Sequence, residues 1–296
     1  MGRQPSLVAA AVPRRQSQRA TILRTTLSFG RTRAGVILLL FIVAITVIGP
    51  LAAPHSSTEF VGTPFQGPSS QAPLGTDNLG RDVLSRVLHG GWSVLSLSIA
   101  ATLIGMGMGV TLGLVAGYAR QWVDETLMRL LDVLLAFPTL VFALLAVSIA
   151  GPQLWLIVLA VGIGHAPRVA RVARGAALEI VGQDYVSAVE ALGVPSWRIL
   201  FGEILPNITS PLLVEFGMRI AYSVGIIAAL SFLGFGVQPP TSDWGLMINE
   251  NRLGLSIQPY SVAVPVLLIG LLAIAVSLIA DGLTRAIVGI ERESGG

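Results

Sequence analysis

The side chains that most often do chemistry are scarce in this sequence. Among its 296 residues there is no cysteine and no lysine, and all nineteen basic residues are arginine. Disulfides, thiolate metal sites and cysteine nucleophiles are excluded. Schiff-base chemistry goes with the lysine. So does a phosphate loop of the Walker type, whose lysine must reach the terminal phosphates. If ATP drives this protein, another polypeptide hydrolyses it. The three histidines, His55, His89 and His165, are scattered with no metal-ligand spacing. Ser93 and His165 have the right types for a nucleophile and its base. The apolar pattern, however, puts Ser93 at the outer edge of one membrane segment and His165 near the inner end of another, too far apart to react. Neither a catalytic centre nor a resident cofactor or metal is expected in this chain.

What must position the remaining polar groups is lipid-embedded helix. Hydrophobic residues make up 53% of the chain and charged ones only 12%, half the usual quarter. A span takes roughly 20 apolar residues. Five charge-poor stretches qualify: 34–53, 93–119, 133–150, 153–169 and 261–280. A sixth, 211–235, contains Glu215 and Arg219. Four apart with the acid first, they have the favourable ion-pair order on one helical face. Near the inner end of that span they read as a self-neutralised interfacial pair, the arginine reaching for water. Only Gly151-Pro152 separates the third span from the fourth, a tight helical hairpin.

Arginine placement sets the orientation. The first 33 residues carry seven arginines and no acid, and the apolar run follows directly, closed by Pro54. A cleaved signal would have a shorter apolar region and a small-residue cleavage site, so this is expected to be a retained signal anchor with a cytoplasmic basic tail. Arg120, Arg129, Arg168, Arg171, Arg174 and Arg198 fall on the same side. The opposite side receives 54–92, the Gly151 hairpin and 236–260, with only Arg81, Arg86 and Arg252. The expected plan is a tail at 1–33, a first span at 34–53, an outer segment at 54–92, a five-span core at 93–283 and a tail at 284–296. Both ends are cytoplasmic.

Two patterns mark contact surfaces. Ala101, Gly105, Gly109, Gly113 and Gly117 recur every fourth residue in the second span, a small-residue face that lets helix backbones approach closely. It could serve packing within this subunit or against a partner. The second pattern lies in the inner segment 179–207. Asp184 can cap a short helix with Val186, Val189 and Leu192 apolar, ended by Gly193 and Pro195. Ser196 can cap another with Trp197, Leu200, Phe201, Ile204 and Leu205 on one face, stopped by Pro206. By periodicity alone, such helices could lie on lipid or dock a protein.

From Tyr185 the sequence reads YVSAVEALGVPSWRILFGEILPN. This resembles the cytoplasmic signature of bacterial ABC importer permeases: an EAA triplet, a glycine four positions on, and a closing Leu-Pro pair. Ser187, Ala188 and Val189 occupy the triplet, followed by Glu190, then Gly193, and Leu205 with Pro206. Ser187 stands where glutamate is usual, Val189 where alanine is, and Glu203 where the pattern is apolar. LGTDNLGRDVLSRVLHGG from Leu74 and LSFLGFGVQPPTSDWG from Leu230 are similar to the second permease of dipeptide, oligopeptide and nickel importers, as are 50–54 and ARVARG from Ala170.

The resemblance implies an all-α integral membrane protein with six transmembrane helices and the type I ABC importer permease fold. It also implies a non-catalytic subunit of an ATP-driven importer in the bacterial inner membrane. Segment 179–207 would be the coupling helix that fits a cleft on the ATPase. Expected partners are a second homologous permease, two ATP-binding subunits that hold the ATP and Mg, an extracytoplasmic substrate-binding protein and membrane lipid, with no role for nucleic acid. Di- or oligopeptides are the expected substrates, with nickel, glutathione and haem as alternatives. A secondary transporter or channel would instead place ionisable groups mid-membrane, and five of the six spans have none. On the outer side, 75–90 reads as the start of a helix capped by Asp77 or Asn78, with Asp82 in its positive first turn. That segment suits a structural brace or a docking surface.

Overall fold

The structure, a computed structural model, describes residues 25–294, with side chains described through residue 287. Most of the expected basic tail lies outside the described residues. Helix α1 (Gly30–Ala52) is the first span. Helix α2 (Val83–Tyr118) is 36 residues long. Helix α5 (Leu154–Val181) is 28 residues long, α8 (Thr209–Phe232) is 24, and α10 runs Tyr260–Ser294. All five are long and apolar enough to cross a membrane.

The third expected span does not exist as one helix. Pro138 has no N–H to continue the ladder, and its ring disfavours helical geometry at Phe137. The chain divides there into α3 (Gln121–Leu135) and α4 (Thr139–Ala150), bent by 79°. At ~1.5 Å per residue, the 12 residues of α4 fall well short of the ~30 Å hydrocarbon core. The pair together makes the sixth candidate span. Helix α3 is amphipathic, and ion pairs pin it to α5: Arg174 to Asp124 and Arg171 to Asp132.

Helices α2 and α5 form the most intimate pair. Gly105, Gly109, Gly113 and Gly117 all face α5, so the small-residue stripe is used inside the subunit. A Cβ on Gly109 would lie 2.5 Å from Val169 Cβ, and one on Gly113 2.4 Å from the Ala170 carbonyl oxygen. Helix α5 answers with small residues of its own, Gly162, Ala166, Ala170, Ala173 and Ala177, all buried.

A second bundle joins α1, α8 and α10 to α2 around Ile42, Val87, Val224 and Leu272. Above it, the outer segment is ordered rather than loose. A short helix, α9 (Trp244–Asn251), lies in the stretch expected to be loop. Trp244 is fully buried, and its ring sits against Gly91, where a Cβ would be 2.6 Å away. Its indole Nε1 donates to the Val87 carbonyl at 2.9 Å.

Candidate functional site

The inner segment folds as two short helices on a common anchor. Helix α5 continues to Val181, three residues into the expected inner segment. Helix α6 is Asp184–Ala191 and α7 spans 196–207. Asp184 and Ser196 are the first helical residues rather than the caps, which are Gln183 and Pro195. Gly193, at φ +76°, ends α6 in the left-handed region that glycine adopts without strain.

Helix α7 departs from the expected face. Its middle, Ile199–Ile204, is a π-turn, wider than an α-turn and often found at functional sites. Pro206 offers no N–H to the carbonyl four residues back. It does not stop the helix; the break comes at Ile208, φ −101° and ψ 11°. The widened turn redistributes the apolar residues. Ile199, Leu200 and Ile204 are buried, joining Val186, Ile208 and Leu212 against Leu114, Ala173 and Ala177 at the inner ends of α2 and α5. Trp197 and Phe201, expected on that same buried face, are exposed at 60% and 48%.

One side of the segment is therefore stapled into the bundle and the other presents an apolar surface. Leu192 is 82% exposed and Tyr185 40%, while Ser187, Ala188, Glu190 and Gly193 are exposed as well. Val189, Leu205 and Pro206 are half-buried on the anchored side. The Arg198 guanidinium lies 5.2 Å from the Trp197 ring centroid, a cation–π contact that stiffens the exposed indole. Asn207 Nδ2 donates to the Tyr185 hydroxyl at 3.1 Å and to the Glu203 carbonyl at 2.6 Å, tying the two helices together. The motif ends at Pro206 and carries no sign of this clasp, although Asn207 is the next residue.

The outer motifs converge on a buried charge cluster. Arg86 Nη1 lies 2.6 Å from Asp77 Oδ2 and 2.7 Å from Glu250 Oε2. Arg81 reaches the same two acids at 2.7 and 3.2 Å. Two guanidiniums face two carboxylates, so the cluster is neutral. It joins 77–86 to α9 across more than 160 residues of chain. Removing one member would leave the remaining three with a buried net charge, a loss of about 3–5 kcal/mol. Asp82, not Asp77 or Asn78, caps α2, accepting from Ser85 N at 2.9 Å. Buried contacts of this kind suit a structural brace.

Glu215 and Arg219 make a 2.8 Å contact and are both buried within the bundle. His165 sits midway along α5, away from the inner end, and is fully buried. Its Nε2 pairs with Ser223 Oγ at 2.9 Å, and Ser223 Oγ with Thr102 Oγ1 at 2.9 Å. Ser93 instead donates to Asp243 Oδ2 at 2.8 Å. The serine and histidine are thus committed to different partners. Among the described residues, no cluster of His, Asp or Glu could hold a metal ion.

Comparison with known proteins decides what such an arrangement belongs to. Residues 109–289 match the family described as binding-protein-dependent transport system inner membrane component. The chain belongs to this family. A relative from Pectobacterium atrosepticum, the glutathione transport system permease protein GsiD, is 43% identical over 75% of this chain and 74% of its own length. The di/tripeptide transport system permease protein DppC of Pseudomonas aeruginosa is 36% identical over 86% of each chain. Among solved structures, an inward-facing MetNI methionine ABC transporter chain aligns with a TM-score of 0.52 at 19% identity, covering 69% of this chain and 97% of that one. That likeness supports the permease fold. The protein is a multi-pass, all-α ABC-type permease of the peptide group.

Proposed function

We propose that this permease carries short peptides, glutathione among them, inward across the bacterial inner membrane, in a complex with a second permease. An extracytoplasmic binding protein delivers the substrate, and two ATP-binding subunits supply the energy. The names of its relatives, which transport glutathione and di- or tripeptides, support the substrate class. The absence of lysine agrees with a motor on separate chains. In this reading both termini, α6 and α7 face the cytoplasm, and the neutral outer brace keeps the extracytoplasmic end rigid while the spans move.

The observation that carries the proposal is the two-sided build of α6 and α7. Ile199, Leu200 and Ile204 fix one side to α2 and α5, while Leu192, Trp197 and Phe201 stand exposed on the other. A lever needs both a rigid attachment and a grip. When the ATP-binding subunits close, motion entering through the exposed side passes through the anchored side into the spans and switches access.

The test is co-purification of the reconstituted complex. The double substitution Trp197→Ala and Phe201→Ala should lower retention of the ATP-binding subunits at least ~10-fold, since buried aromatic anchors dominate interfaces. The permease should keep its unfolding temperature, because both rings are exposed. Undiminished retention with intact ATP-driven transport would remove this surface as the grip.

A further inference from the structure

A groove of about 540 Å³ runs between the inner ends of α5, α8 and α10. Its walls are largely apolar, with Val172 and Ile180 of α5 beside Val214 and Met218 of α8. Two acids, Glu179 and Glu215, also line it. Glu215 is met by Arg219 at 2.8 Å, but Glu179 is exposed and makes no ion pair among the described residues. Helix α5 ends just beyond it, at Val181, so the negative end of the helix dipole adds to the pull of Glu179 on a cation. Past the other end of the groove stands the opposite charge. Arg168, one turn beyond Val172 on the same face of α5, is exposed and makes no ion pair among the described residues. It lies near enough to Arg219 for the two charges to repel. Ionisable residues inside a span face water or protein rather than lipid.

We infer that this groove binds a short peptide from the cytoplasmic side, its ammonium at Glu179 and its carboxylate at Arg168, and that a bound peptide slows further import. The inference rests on the peptide reading and the orientation proposed above. Length supports it. At ~1.5 Å per residue, α5 rises ~16 Å from Arg168 to Glu179. Once both side chains reach inward, the charged ends of an extended di- or tripeptide, ~7–10 Å apart, bridge what is left. The apolar walls take the peptide's own side chains. Asn207 lines the same groove and ties α6 to α7 through the Tyr185 hydroxyl. A peptide lying against Asn207 restrains the two helices that the ATP-binding subunits must move, so imported product acts back on its own import.

The first experiment measures equilibrium binding of labelled trialanine to the complete complex in detergent, with the binding protein left out. N-acetyl-trialanine and trialanine amide should each bind at least ~10-fold more weakly, because each leaves one charge of the groove unanswered. In Glu179→Gln, trialanine should bind no better than the acetylated peptide, and in Arg168→Gln no better than the amide. A general loss of structure would not pair each substitution with one end of the ligand. Equal binding of the three peptides, or the same losses in both variants whichever end is blocked, would overturn the assignment. The second experiment follows uptake of labelled glutathione or trialanine into proteoliposomes with binding protein outside and ATP inside. Trialanine in the lumen, at several times its dissociation constant, should cut the initial rate at least ~3-fold in the parent and leave the Glu179→Gln rate where it stands without loading. A parent rate indifferent to lumenal trialanine, or equal inhibition of the variant, would overturn the proposal. Uptake of neither substrate would overturn the peptide reading and this inference with it, whereas uptake of either without the end-specific losses would overturn the groove alone.

Discussion

At Asp243, burial and hydrogen bonding pull in opposite directions. The carboxylate caps α9, accepting from Leu246 N at 2.9 Å and from Ser93 Oγ at 2.8 Å. Those bonds favour the charged form, but removal from water outweighs them and holds its pKa above the ordinary carboxylate value of 3.8. A raised carboxylate pKa means the folded state binds the proton more tightly than the unfolded state. This residue's contribution to stability is therefore fully present below the unfolded value and is lost as pH rises through the folded one. Asp243→Asn removes that titration. The difference in unfolding temperature between the parent and this variant should change in the parent's favour as pH is lowered from 7 toward 4. A difference independent of pH, or one moving the other way, would contradict this account. The neighbouring Arg86, bonded to Asp77 and Glu250, shows the complementary case of a buried charge whose cost is met by opposite charges.

Helix α2 is held to α5 by the absence of side chains. The prediction at this scale compares two glycines on one helix. Gly109→Ala would place a Cβ 2.5 Å from Val169 Cβ and 2.7 Å from the Ala166 carbonyl oxygen, whereas a Cβ on Gly107 meets nothing within 4 Å. The first change should destabilise the permease by about 1–3 kcal/mol and the second by nothing measurable, as read by thermal unfolding in detergent. Equal effects would mean that the close approach is not what holds the pair. The same comparison shows why the stripe is legible in the sequence and its partner is not. Glycines every fourth residue stand out in an apolar segment, but Ala166, Ala170, Ala173 and Ala177 look like ordinary span residues until a neighbour selects them. Helix α7 shows the limit of periodicity more sharply. A 3.6-residue wheel puts Trp197 and Phe201 with Leu200 and Ile204. The π-turn at Ile199–Ile204 changes the wheel, and the aromatic pair turns outward.

For the molecule as a whole, the arginine distribution predicts which surface faces which compartment, and the lack of cysteine makes that testable on a clean background. Leu192→Cys and Phe60→Cys place single thiols on exposed positions, 82% and 70% accessible, at opposite ends of the bundle. A membrane-impermeant maleimide added to intact cells should label the cysteine at 60 and spare that at 192. In inverted vesicles stripped of the ATP-binding subunits the pattern should reverse. Labelling of both from one side would overturn the proposed orientation.

The sequence by itself determined that this is a lipid-embedded helical protein, located five of its spans, marked the Tyr185 to Pro206 segment, and carried the family resemblance. Those properties follow from local composition and spacing, because a bilayer demands long apolar helices wherever the chain crosses it. Only the tertiary structure decided the rest. It broke the third span at Pro138, where averaged hydropathy cannot register one missing N–H. It buried Glu215, Arg219 and His165 inside the bundle, and it drew Asp77, Arg81, Arg86 and Glu250 into one cluster from distant stretches of chain. It also decided which side of α6 and α7 is anchored in the bundle and which is exposed. Each of these depends on groups far apart in sequence meeting in space, or on one backbone irregularity turning a whole face.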